Sequence, residues 1–152
     1  MIILKIGGSS LTNKDSSESE VNFESLERIA LEIKSSLDNG PKQLIIVHGA
    51  GSFGHPPAKK YKIGEAFDES EYPQKRIGFC ETQNAVKKLN MHVCEAFIKQ
   101  GLPVVAIPAS SFMTAKDKRI NPCSLDAFTR YLNEGFIPVI YGDVVLDDDL
   151  GI

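Results

Sequence analysis

Two glycine-rich turns, each closing a short apolar run, hold the residues best suited to chemistry in this chain. The first reads Leu4-Lys5-Ile6-Gly7-Gly8-Ser9-Ser10, the second Val47-His48-Gly49-Ala50-Gly51-Ser52-Phe53-Gly54-His55. Glycine lets a backbone approach a ligand closely and present its N–H groups, and a helix N-terminus behind such a turn favours negative charge. One turn of this kind suggests a phosphate site. Two of them, with Lys5, Lys14 and His55 in or near them, imply two phosphates held face to face, as phosphoryl transfer requires.

Each residue also has a plainer reading. Gly49 to Gly54 matches the dinucleotide pattern G-x-G-x-x-G, but that pattern belongs after a first strand, with an acidic residue ending a second strand. Here it follows the second apolar run, and the region of Asp68, Glu69 and Glu71 holds no apolar strand. The glycines could serve tight turns alone. Lys5 interrupts an apolar strand, where a buried lysine is costly unless it is paired or functional. Lys14 lies in a polar stretch, where a solvated lysine is the default. His55 could cap the helix behind its turn, His48 reads as a structural hydrogen-bonder at a strand end, and His92 as a helix-surface residue. Asp147, Asp148 and Asp149 read as a solvated turn rather than a metal site, so no metal ligand is assigned.

Elements must position these turns. Apolar runs at 2–6, 43–48, 103–107 and 137–141 are short and nearly uninterrupted, as strands covered on both faces should be. Phe23, Leu26, Ile29, Ala30, Ile33 and Leu37 recur at helical spacing, stopped by Asn39-Gly40-Pro41. A longer helical pattern runs from about 76 to 100 and ends at Gly101; a third, about 124–134, stops at Gly135. Alternating strands and helices predict an α/β sandwich with a largely parallel sheet. Residues 13–22 and 62–74 read as loops, and Val144, Val145 and Leu146 as a strand whose hairpin lacks its second arm. That unpaired edge predicts the front part of a longer protein.

The chain has 152 residues, 42% hydrophobic and 24% charged, enough for one domain with a real core. Its net charge of −3 argues against a nucleic-acid or anionic-membrane partner, and no apolar run is long enough to span a bilayer. Cys80, Cys94 and Cys123 are odd in number and unpatterned, which predicts reduced thiols in a cytoplasm.

Leu4-Lys5-Ile6-Gly7-Gly8-Ser9, Lys14, the run from His48 to His55 and Tyr141-Gly142-Asp143-Val144 together resemble the amino acid kinase superfamily, and within it the isopentenyl phosphate kinases. The resemblance covers residues 1–152. It implies a three-layer α/β/α fold, truncated before its nucleotide-binding half, with 1–152 as the N-terminal, acceptor-binding part. It implies transfer of the ATP γ-phosphate to isopentenyl phosphate in isoprenoid biosynthesis, with Mg²⁺, in a cytoplasmic homodimer. Lys5, Lys14 and His55 would be catalytic, and Lys5, Gly7, Gly8, Ser9 and Lys14 would hold ATP phosphates. Gly49, Ala50, Gly51, His55 and Gly142 would hold the acceptor phosphate, with Phe79 and Thr82 lining its tail pocket; helix core is the plainer role for Phe79. The family's second turn usually reads His-Gly-Gly-Gly. Ala50 replaces its middle glycine, harmlessly unless that position needs positive φ. Alternatives are a fosfomycin-kinase-like phosphate or phosphonate kinase, or a non-catalytic phosphate-binding module. On its own the chain is expected to bind acceptor weakly and transfer no phosphate.

Overall fold

The computed structural model describes residues 1–13, 19–38, 40, 43–66 and 68–152. In chain order the elements are β1 (Ile2–Ile6), α1 (Gly8–Leu11), α2 (Phe23–Asp38), β2 (Leu44–His48), α3 (Gly51–Lys60) and α4 (Tyr72–Lys99). They continue with β3 (Val104–Ala106), the pair β4 (Ala115–Lys116) and β5 (Arg119–Ile120), α5 (Asp126–Asn133) and β6 (Ile137–Tyr141). Four strands form a parallel sheet in the order β1-β2-β6-β3. Parallel neighbours need a crossover, and the helices between the strands supply it.

Side-chain period decides which face each residue serves. Leu26, Ala30 and Ile33 of α2 and Leu89, Val93 and Phe97 of α4 each form one helical stripe. They bury it against Ile6, Leu44, Ile46 and Val139 on one sheet face. On the other face Pro138 is fully buried, α5 packs on β6, and its Phe128 and Leu132 are buried apart from that cluster. Helices thus flank the sheet at β6, while Ile3 on β1 stays exposed. Asn22 caps α2, its Oδ1 accepting from Ser25 N at 3.0 Å. Gly101 and Gly135 end α4 and α5 with φ of +75° and +81°, as their sequence positions predict. No helix among the described residues is long and apolar enough to cross a membrane.

The helix expected behind the second turn spans residues 51–60, with the pair Pro56-Pro57 inside it. Two expectations need correction. The stretch read as a loop up to residue 74 enters α4 at Tyr72, and buried Lys75 donates to Lys62 O at 2.7 Å and Glu65 O at 2.6 Å, tying the preceding turn down. Residues 144–146 are not a strand. Leu146 O instead accepts from Ala115 N, and the chain then folds into a turn closed by Gly151 N donating to Asp147 O at 2.7 Å.

Asp147 organises that corner rather than facing solvent. Its carboxylate accepts from Leu150 N (3.0 Å), Lys118 N (2.8 Å), Asp149 N (2.9 Å) and Asp117 N (3.1 Å). Asp117 and Lys118 form the two-residue loop between β4 and β5, both with positive φ (45° and 63°). Such a loop is strained without glycine, and the carboxylate capping both N–H groups compensates. The Leu150 and Lys118 amides hold the Asp147 carboxyl down at about 2, from an ordinary 3.8. A lowered carboxylate pKa stabilises the fold above the unfolded value and loses that effect as pH falls toward the folded value. Asp147→Asn should therefore melt lower than the parent chain at neutral pH, and the gap should close between about pH 4 and pH 2. Thermal melts by circular dichroism across that range measure it; a pH-independent gap would assign the effect to packing.

Candidate functional site

β1 and β2 are parallel neighbours in register, Ile6 opposite His48, so their carboxyl ends deliver the two glycine turns side by side. Ligand sites of open α/β sheets form at this end. The ladder continues one step into the turns, with Gly49 N donating to Ile6 O at 3.0 Å. Beyond it the two backbones touch. A Cβ on Gly8 would lie 2.5 Å from Gly51 N and 2.7 Å from Gly51 Cα; one on Gly49 would lie 2.7 Å from Gly8 N. Gly51 has φ +54°, a conformation side chains rarely adopt. Ala50 has φ −70° and ψ −20°, so alanine fits where the family usually places glycine.

Thr12, buried at the end of α1, staples the turns together. Its hydroxyl donates to Gly8 O at 3.1 Å and accepts from Ser52 N at 3.2 Å. Pro56 has no N–H for the Ser52 carbonyl four residues back, and the Ser19 hydroxyl donates to that oxygen at 2.7 Å instead. The proline pair thus frees a helical carbonyl for a contact from outside the helix.

Over this junction lies a cavity of about 460 Å³, within the range of small-molecule sites. Gly8, Ser9 and Thr12 line one wall; Gly49, Gly51, Ser52, His55 and Pro56 line the other. Five sequence-predicted residues, Gly8, Ser9, Gly49, Gly51 and His55, therefore meet in one place. Gly7 and Ala50 flank them as the N-cap residues of α1 and α3. Gly142 backs the second turn, its N–H donating to His48 O at 2.9 Å, and a Cβ there would lie 3.0 Å from Ala50 N. The Gly49 and Gly142 amides are thus consumed within the fold and are not open to a ligand. The N–H groups of Ala50 and Gly51 precede the first helical bond, Gly54 N to Ala50 O, and so lack helical partners.

Other predicted residues sit elsewhere. Lys5 is exposed, on the sheet face away from the α2–α4 core, so the burial argument for it fails although it ends two residues short of Gly7. Lys14 lies outside the described residues. Phe79 is half-buried and Thr82 buried on α4, and neither lines the cavity. The Thr82 hydroxyl donates to Gly78 O at 2.7 Å, within its own helix.

A buried polar group supports the second turn from below. His48, 1% exposed, places Nδ1 3.0 Å from Gly49 O and Nε2 3.1 Å from Asn90 Oδ1 on α4, and stacks on Tyr141 with ring centres 5.5 Å apart. Burial pushes its pKa down, which keeps the imidazole neutral. Burial, and then the Asp143 charge, push Tyr141 up to about 12. The Asp143 carboxylate accepts from Ser110 N (3.1 Å) and Val144 N (2.9 Å). Thr12, Asn90 and Ser110 carry no local sequence signal, since the partners they hold at the site, Ser52, His48 and Asp143, lie 40, 42 and 33 residues away.

The cavity wall offers hydroxyls, amides and an imidazole, and no carboxylate. Such donors suit the oxygens of an anion, above all a phosphate.

Comparison with known proteins agrees with this chemistry. The family model described as the amino acid kinase family matches residues 1–152. The isopentenyl phosphate kinase of Methanothermobacter thermautotrophicus is 51% identical over 150 residues, covering 98% of this chain and 55% of that protein. The isopentenyl phosphate kinase of Methanocaldococcus jannaschii is 40% identical over 157 residues, covering 99% of this chain and 58% of that protein. An X-ray structure of an isopentenyl phosphate kinase superimposes with a TM-score of 0.92 at 49% identity, covering 97% of this chain and 58% of that one. The chain thus spans just over half the length of the relatives it matches.

The backbone contact between the turns yields a test. Gly8→Ala should keep the fold, judged by circular dichroism, yet weaken binding of a phosphate monoester at least tenfold, because the turns must part by a fraction of an ångström or more. Ala50→Gly, at an ordinary helical φ, should bind as the parent chain does. Isothermal titration calorimetry compares the two, and equal binding by all three chains would refute the contact's importance.

Proposed function

The chain belongs to the amino acid kinase family, and we propose that it is the acceptor-binding part of an isopentenyl phosphate kinase, which transfers the ATP γ-phosphate to isopentenyl phosphate. The observation that carries this reading is the convergence of both glycine turns and His55 on one cavity without a carboxylate. A phosphate monoester, with a second pKa near 6, is largely ionised at neutral pH and needs no catalytic base as nucleophile. Positioning and charge neutralisation supply the catalysis. In this reading His55 and the Ala50 and Gly51 amides hold the acceptor phosphate. The Gly8 and Ser9 wall, with Gly7 and Lys5, faces the transferring phosphoryl group, whose charge Lys14 would help to neutralise.

ATP is the proposed second substrate and Mg²⁺ its companion. The donors lining the cavity fit phosphate oxygens and do not fit a magnesium ion, which prefers carboxylates and water. Mg²⁺ would therefore arrive with the nucleotide, and no step is assigned to it. The reading includes a homodimer in the cytoplasm. The three free thiols, Cys80, Cys94 and Cys123, are in keeping with a reducing compartment.

His55 is exposed at the cavity edge, so His55→Ala should spare the fold. It should weaken isopentenyl phosphate binding by about 2–4 kcal/mol, the worth of a charge-assisted bond to phosphate, with ATP affinity little changed. Calorimetric titration with each ligand separates the two, and an unchanged acceptor affinity would remove His55 from the acceptor site. Lys5→Met, at an exposed position, should melt as the parent chain does and weaken ATP binding instead. A collapse of the fold would instead reveal a structural lysine.

A further inference from the structure

Ser52 carries the one buried side-chain oxygen or nitrogen among the described residues that has no hydrogen-bond partner. Its backbone is fixed on both sides: N–H donates to Thr12 Oγ1 at 3.2 Å, and the carbonyl accepts from Ser19 Oγ at 2.7 Å. Only the side-chain rotor remains free. The residue lines the cavity, one helical turn before His55 on the same face of α3. Most buried polar groups are paired, and one left alone costs free energy in the empty protein. Such a cost persists where a ligand later removes it.

We infer that the Ser52 hydroxyl, turned about its free rotor into the cavity that the residue lines, is a binding residue for the acceptor phosphate, donating to one of its oxygens beside His55. This rests on the acceptor-site reading above. Its energetics differ from those of Ser9, which lines the facing wall but is exposed. Ser9 exchanges water for ligand and gains little. Ser52 has no partner in the empty protein, so turning into the cavity breaks no bond and gains one to an anion. Two neighbouring hydroxyls in one cavity should therefore contribute unequally, and burial sets the order.

The test is calorimetric titration of the 152-residue chain with isopentenyl phosphate and, separately, with a non-hydrolysable ATP analogue, joined to thermal melts without ligand. Ser52→Ala should weaken isopentenyl phosphate binding about tenfold or more, and Ser9→Ala by less. Analogue binding should be unchanged by Ser52→Ala. The ligand-free melting temperature of Ser52→Ala should equal or exceed that of the parent, since the unpaired hydroxyl is gone. A lower melting temperature would make the hydroxyl structural and overturn the assignment. So would a loss confined to the ATP analogue, or unchanged acceptor binding in Ser52→Ala while His55→Ala loses it; the last leaves the acceptor site standing. No acceptor binding by the parent chain would overturn both.

Discussion

Everything at the functional end of this protein depends on two backbones touching where side chains would normally keep them apart. Gly8 sits against Gly49 and Gly51 so closely that a single methyl on Gly8 or Gly49 would overlap main-chain atoms. Parallel strands about 4.8 Å apart bring such turns near each other, but only glycine lets them close the remaining gap. The consequences spread outward. Gly51 must turn through positive φ to start α3, and Thr12 can then reach both Gly8 O and Ser52 N with one hydroxyl. Gly142 joins as a third small residue behind Ala50. The cavity is the space these contacts leave above them.

Holding that junction still requires polar groups in unusual places. His48 is buried, neutral and wedged between Gly49 O, Asn90 and the Tyr141 ring, which locks the end of β2 to α4 and β6. Pro56 and Pro57 break the helical bonding of α3 just after the turn, where a continuous helix would satisfy its own carbonyls. The freed carbonyl of Ser52 is then bonded by Ser19, so Ser19 is tethered to the second turn across 33 residues of sequence. Local helix stability is lost and long-range order gained. A site that must hold its turns to within a fraction of an ångström benefits from that exchange.

Fold class was legible because it rests on periodicity. The four apolar runs became the four sheet strands, and the stripes of α2 and α4 became the core face. The two glycine turns were legible because their chemistry is local. What escaped was set by distance or by backbone. Helix α3 was expected behind the second turn, but its extent was hidden by two prolines that ordinarily break a helix. The β4–β5 hairpin was hidden because Asp117-Lys118 is a poor two-residue loop on its own. It is sustained by Asp147, 29 residues from Lys118. The strand expected at 144–146 failed for the same reason: the Asp147 carboxylate gathers backbone amides into a turn that apolarity alone does not foresee. Lys5 shows the converse error. An apolar strand suggested burial, but alternation placed the lysine on the open face.

The two histidines of the second turn show how burial, more than residue type, assigns a role. His48 and His55 lie seven residues apart in one motif. The first points beneath the glycines, is almost wholly removed from water, and has burial as the main influence on its titration. With both ring nitrogens bonded within the fold, it orients the turn and has no donor left for a ligand. The second follows Gly54, whose missing side chain lets α3 pack against Ala50 and Val86. That close packing leaves His55 on the outer side of the helix, exposed and lining the cavity. One imidazole therefore holds the turn while the other faces whatever the turn binds, and the glycine between them is what separates the two environments.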